Sequence, residues 1–275
     1  MDSQESHYPM RRASIAVCLL LVCLAAASCA TVSDRAPAAG TVNAMAQESR
    51  GTAMTRRAER PLQAKSSCPS TLASRLKHKV GKQLIFVVVG ASSDTSATLT
   101  TFQLDGSCWK RAAGPWTARV GYNGISIDKH EGDGTTPAGI YGFQATMYGN
   151  AANPGVQYTY HRLACGDWWD EDSSSSRYNE FVHVPCSDTN PPFNNGSSER
   201  LWQETVAYPS FAVINYNPRR TPGRGSAIFL HADIGGPTAG CVSLPLADLD
   251  AALDWMNPSV HPSIVIGTTK TVTSY

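Results

Sequence analysis

The chain has 275 residues, with 23 Lys and Arg against 22 Asp and Glu, for a formal net charge of +1. A balance this even argues against nucleic acid as the main partner, because phosphate binding needs a clustered basic surface. The length accommodates one large domain with additional segments, not a multi-domain array.

Arg11 and Arg12 precede an uncharged apolar run over residues 15–27. A membrane-spanning helix needs about 20 such residues, so the run fits a secretory signal over residues 1–29, with Met10 as an alternative start. It ends in Ala26-Ala27-Ser28-Cys29, which resembles a bacterial lipobox with Cys29 as the acylated residue, although Ala26 stands where Leu is usual. Ordinary cleavage after Ala30 is the alternative. No other segment is long and apolar enough to cross a membrane, so a lipid at Cys29 is the only membrane attachment expected. Residues 30–66, rich in Ala, Thr, Ser, Arg and Pro, show no periodicity and cannot bury enough apolar surface to order themselves. They are read as a flexible tether with a reach of roughly 30–36 Å. Residues 67–275 remain for a single domain, expected to be a monomer.

Within that domain the pattern is mainly strand. Residues 84–89 form a continuous β-branched apolar run and predict a buried strand. Residues 98–104, the turn Asp105-Gly106 and residues 108–112 predict a hairpin. A further short strand is expected over 116–121, ending at Asn123-Gly124. Residues 150–154, 170–179 and 190–198 read as loops. Strands are predicted over 208–216 and 227–231, separated by a loop rich in Pro, Gly and Arg. Leu246, Leu249, Leu253 and Met256 recur at helical spacing and predict the one clear helix over 245–256, stopped by Asn257-Pro258. Residues 264–266 read as a closing strand.

Of eight cysteines, Cys18 and Cys23 leave with the signal and Cys29 is the candidate lipid site, which leaves five. In an oxidising compartment an even set pairs and an odd one marks a reactive thiol. Cys68 with Cys108 and Cys165 with Cys186 is the favoured pairing, although four cysteines allow three connectivities. Cys241 is the odd one out. Acyl transfer at a peptide bond needs a nucleophile, a base within hydrogen-bond reach and donors for the developing oxyanion. Residues 228–231 predict a strand that delivers His231 at its end. Ten residues later, Pro237-Thr238-Ala239-Gly240-Cys241 sets a thiol after two small residues. Gly235 and Gly236 let the chain fold back, and amides around Gly240 and Cys241 are candidate oxyanion donors. The bland readings are a buried small hydrophobe for Cys241 and a structural histidine for His231.

His231 followed by Gly235-Gly236-Pro237-Thr238-Ala239-Gly240-Cys241-Val242 resembles the signature of the L,D-transpeptidase catalytic domain, the YkuD type. Upstream, Gly132-Asp133-Gly134-Thr135-Thr136-Pro137-Ala138-Gly139-Ile140-Tyr141 is similar to that family's Thr-Pro-x-Gly-x-aromatic element. Residues 168–179 and 222–226 resemble further segments of an exported branch, and the similarity spans nearly all of 82–269. The resemblance implies a mainly β fold, a sandwich or partly closed barrel with few helices. It also implies peptidoglycan stem peptides as substrate, and an exported location in the cell envelope. Cys241 would attack the carbonyl of the third stem residue, meso-diaminopimelate or a relative, with His231 as base. Amides near Gly240 and Cys241, with Thr238 as an extra donor, would hold the oxyanion. An acceptor amine would then resolve the thioester, or water in a carboxypeptidase. No cofactor or metal is called for. An amidase or endopeptidase with the same dyad, or an inactive wall-binding module, are the rival readings.

Two positions depart from the family pattern. Many members carry His two residues before the nucleophile and Arg two after it, where this chain has Ala239 and Ser243. That arginine would offer a fork to a substrate carboxylate; Arg219, Arg220 and Arg224 are candidate substitutes. His130, His161, His183 and His261 lack metal-ligand spacing, and Trp168 and Trp169 are expected in the core. Asp233 could orient His231, as could a backbone carbonyl.

Overall fold

The computed structural model describes residues 67–78 and 80–275. The expected signal over 1–29, the lipidation at Cys29 and the tether over 30–66 lie outside the described residues. In chain order the elements are α1 Leu72–Arg75, β1 Gln83–Val89, β2 Ser96–Asp105, β3 Cys108–Arg119, β4 Ile125–Ser126, β5 Thr136–Pro137, β6 Gly139–Tyr141 and β7 Phe143–Gly149. Then follow β8 Thr159–Arg162, β9 Asp167–Asp170, β10 Glu180–His183, β11 Glu199–Arg200, β12 Phe211–Ile214, β13 Phe229–Ala232, β14 Val242–Leu244, α2 Leu246–Trp255 and β15 Ser263–Thr268.

Ten strands form one sheet in the order β6-β15-β1-β2-β3-β14-β13-β12-β7-β8, curled into a half-barrel. The mainly β class with few helices is therefore the observed one. β1 runs parallel to β15 and antiparallel to β2. Flanked on both edges and buried on both faces, it uses its Leu-Ile-Phe-Val-Val-Val run without alternation. The β2–β3 hairpin is longer than the sequence pattern implies. Instead of breaking near Gly114-Pro115, β3 continues to Arg119, and register shifts opposite Leu99 and Thr101 absorb the irregularity. Gly114 fits there because φ is +80° and a Cβ would lie 2.7 Å from the Leu99 carbonyl oxygen.

α2 matches the predicted helix to within a residue at each end and buries Leu249, Ala252 and Leu253. These pack on one face of the sheet with Leu230, Ala232, Val242, Leu244, Ala118 and Val120. Each fully buried Leu or Val side chain on this face contributes about 1.5–3 kcal/mol of transfer free energy. The other face carries an aromatic cluster of Tyr148, Trp169, Tyr208, Phe211 and Phe229, with Cys241 at its margin. A three-stranded sheet, β10-β9-β11, contributes Trp169, which stands edge-on to Phe229 with centroids 5.0 Å apart. The stretch over 208–216 is shorter as a strand than expected, because only Phe211–Ile214 find partners in β13 and β7. The Cys68–Cys108 and Cys165–Cys186 disulfides are closed, with Cα atoms 5.2 and 5.8 Å apart.

Candidate active site

β13 and β14 are parallel neighbours with Leu230 opposite Val242, His231 opposite Ser243 and Ala232 opposite Leu244. Successive residues of a strand point to opposite faces. Leu230, Ala232, Val242 and Leu244 enter the core beneath α2, so His231, Ser243 and Cys241 share the other face. The pattern that made β13 a buried strand thus also aims the imidazole and the thiol to the same side. The connection over 233–241 is short for a parallel crossover, which usually takes a dozen or more residues.

The turn before Cys241 is held by the two segments that the resemblance singled out, far apart in sequence. Thr238 Oγ1 donates to the Cys241 carbonyl oxygen at 2.7 Å, and Thr136 Oγ1 donates to the same oxygen at 2.9 Å. Thr136 in turn accepts from the Gly121 amide at 2.8 Å. The Gly240 amide donates to Thr238 Oγ1 at 3.2 Å. In this conformation Thr238 and the Gly240 amide are therefore committed to the turn itself. Gly240 has φ +152°, and a Cβ there would sit 3.0 Å from the Thr135 carbonyl oxygen, so the turn closes only with glycine.

Cys241 is the free cysteine among the described residues and is buried. Its thiol donates to the Ala227 carbonyl at 3.2 Å, and its Sγ accepts from the Phe229 amide at 3.3 Å. Burial first, then the carboxylate of Glu199, push its pKa well up; the Phe229 amide and the Lys129 ammonium pull the other way. His231 is also buried, and desolvation pushes its pKa down from 6.5 to about 4. Its Nδ1 lies 2.8 Å from the Ala232 carbonyl oxygen. A carbonyl only accepts, so this contact assigns a proton to Nδ1. The thiol and the imidazole thus share one face of the sheet, both uncharged, and are not a preformed ion pair. The partners of Sγ, Ala227 and Phe229, lie upstream of His231 in the chain.

Sequence reasoning missed the groups around this pair. Tyr208 stacks edge-on against His231 with centroids 5.5 Å apart and donates its hydroxyl to Glu199 Oε2 at 2.6 Å. Burial raises the pKa of Glu199 to about 7. Burial, followed by the carboxylates of Glu199 and Glu131, holds Glu171 well above the usual carboxylate range. Glu131 Oε2 accepts from Tyr178 and from Ser226 Oγ. Of these, Glu131 and Glu171 lie inside or beside segments that carried the resemblance, which was the only signal available.

The other candidates resolve structurally. The Ala232 carbonyl, not Asp233, holds the imidazole; Asp233 Oδ1 accepts from the Gly235 amide at 2.9 Å. Trp168 and Trp169 are buried. His161 and His183 grip opposite oxygens of Asp167 at 2.8 and 2.7 Å. Arg220 pairs with Glu180, and Arg219 and Arg224 line a cleft with Tyr141 and Tyr216.

A sequence model of the family described as L,D-transpeptidase catalytic domain, YkuD, matches residues 92–271. Among solved structures, a match is the crystal structure of the helical cell shape determining protein Pgp2 from Campylobacter jejuni. It shares 12% identity with a TM-score of 0.33 and covers 71% of this chain and 53% of that one. The chain thus spans about half the length of that protein. No curated protein matches.

Proposed function

Because the chain belongs to the L,D-transpeptidase catalytic-domain family, we propose that it is a cysteine-dependent transpeptidase of peptidoglycan stem peptides, with Cys241 as nucleophile and His231 as base. The observation that carries this reading is one sheet face that holds both a free thiol and a neutral imidazole. The imidazole's second nitrogen is occupied by the Ala232 carbonyl, while the other cysteines of the described residues are paired.

The steps follow from the charge states. With the thiol held neutral by burial and His231 a weak base, the proton passes from Sγ to Nε2 as sulfur attacks the carbonyl carbon of the third stem residue. The Cys241 amide, with the Gly240 amide once released from Thr238, donates to the oxyanion. Collapse breaks the bond to the terminal D-amino acid, whose nitrogen takes the proton from His231, and a thioester remains on Cys241. An amine of a second stem attacks the thioester, gives its proton to His231 and restores the thiol. Export directed by residues 1–29, anchoring at Cys29 and a tether over 30–66 complete the proposed organisation. Two disulfides, and no helix among the described residues long and apolar enough to cross a membrane, are compatible with an exported protein.

The test is incubation of the purified protein with disaccharide tetrapeptides, read by mass spectrometry. Release of the terminal D-amino acid together with crosslinks between third residues supports the reading. Release without crosslinks identifies a carboxypeptidase, and cleavage elsewhere an endopeptidase or amidase. Wall binding without any product, unaltered by Cys241→Ala, identifies a non-catalytic module.

A further inference from the structure

The buried side-chain polar atoms without a hydrogen-bond partner among the described residues are Arg119 Nε and Ser243 Oγ. They belong to residues directly paired between β3 and β14. Ser243 is also the register partner of His231 on β13, so Arg119, Ser243 and His231 form a lateral row across three adjacent strands. Ala118 and Val120 enter the core beneath α2 together with Val242 and Leu244. Arg119 therefore stands on the opposite face, the one that carries His231 and Cys241. An orphaned buried donor is rare enough in a folded protein to need a reason.

The nearest carboxylate does not supply one. Asp233 Oδ2 lies 3.8 Å from Arg119 Nε, too far for a hydrogen bond, and the Arg119 side chain is 35% exposed. The guanidinium thus borders solvent on the face that carries His231, two strands away from it, held by a loose ionic contact to Asp233. Position 243 is where the family resemblance leads one to expect an arginine. Here a serine leaves room beside it for an arginine that arrives from the neighbouring strand.

We propose that Arg119 binds a carboxylate of the donor stem peptide at the Cys241 site, taking from β3 the role that an arginine at position 243 would fill. The inference rests on the stem-peptide reading above. A planar guanidinium with free N–H groups matches a carboxylate in a two-pronged geometry that an ammonium cannot reproduce. Two carboxylates of the donor have this chemistry: that of the terminal D-amino acid and that on the side chain of a diaminopimelate third residue.

The experiment compares three tetrapeptide donors: one with both carboxylates free, one with the terminal carboxylate amidated, and one with the third-residue side-chain carboxylate amidated. The full-length protein should discriminate against one amide by roughly 10- to 100-fold in kcat/KM, the range for hydrogen bonds to charged groups. The affected amide identifies which carboxylate is read. Arg119→Gln should collapse that ratio to about one, Arg119→Lys should retain part of it, and Arg119→Ser combined with Ser243→Arg should restore it. A merely structural Arg119 would lower the rates on all donors together and leave the ratio intact, which overturns the proposal. Donor binding is measured in parallel on Cys241→Ala, with and without Arg119→Gln. Carboxylate-selective binding lost with Arg119, but no turnover by the unsubstituted protein, keeps the binding role and removes the transpeptidase reading. Turnover with no dependence on Arg119 does the reverse, and absence of both binding and turnover overturns both.

Discussion

The two faces of the ten-stranded sheet are written by alternate residues of the same strands, and they are built for different ends. Toward α2, Leu230, Ala232, Val242 and Leu244 meet Leu249 and Leu253 in an aliphatic core. One residue along, His231, Cys241 and Ser243 face a layer in which Tyr208 is buried and Glu199 half-buried. Burial lowers free energy on the first face and raises it on the second, where it keeps an imidazole and a thiol uncharged. The period of two in a strand is what lets stability and chemistry be tuned almost independently at adjacent positions.

The sharpest way to break this comparison is to substitute neighbours in the β13–β14 seam. Cys241→Ala should abolish product formation, a loss of at least about 10⁴-fold on the scale of removed nucleophiles, while the thermal midpoint moves little. Leu230→Ala should do the opposite. It leaves a cavity under α2 and should cost about 2–5 kcal/mol in urea unfolding, with activity per folded molecule within a few-fold of the parent. A large activity loss per folded molecule in Leu230→Ala would mean the faces are not separable.

How much of this was legible in the sequence follows the same division. β1, α2 and the end of β13 could be read because their apolar residues recur at strand or helix spacing over enough residues to be distinctive. β7 to β11 could not. All but β7 are short, some are buried without alternation, and they exist because distant partners pair with them: Glu199 reads as the end of a polar loop until β11 is seen against β9. In the site, Cys241 stood out because it was the odd cysteine, and His231 because it closed a strand. Arg119 had no local mark at all. Its place beside Ser243 is a fact of register across more than a hundred residues of chain, which no pattern in either segment encodes.

A pH titration sharpens the comparison next. The imidazole of His231 titrates at about 4 in the folded protein against 6.5 as an ordinary histidine. Above pH 6.5 both states carry it neutral, and stability from this source is fully present. As pH falls toward 4 the unfolded chain takes the proton first, and up to about 3 kcal/mol is lost. Between pH 7 and pH 5 this protein should lose about 2 kcal/mol more in urea unfolding than His231→Gln, in which nothing titrates at that position. Glu199, raised to about 7, acts in the opposite sense: its contribution is present at low pH and lost as pH rises through 7. The difference between parent and variant isolates His231 from it, and parallel curves would refute a buried neutral imidazole.

The smallest expected effect is the most diagnostic of the chemistry-bearing face. The carboxylate of Glu199 is the second cause, after burial, that holds the Cys241 thiol neutral, and it becomes charged through about pH 7. A thiolate at Cys241 must therefore form beside a newly ionised carboxylate. Glu199→Gln removes the charge yet keeps an oxygen to accept from Tyr208. Its iodoacetamide alkylation at Cys241 should run roughly threefold to tenfold faster than the parent's above pH 7, about 1 kcal/mol of relieved repulsion. Below about pH 6 the two rates should converge, since Glu199 is then protonated in the parent. Equal rates at pH 8 would show that burial alone sets the thiol, and that the carboxylates beneath the site serve packing instead of reactivity.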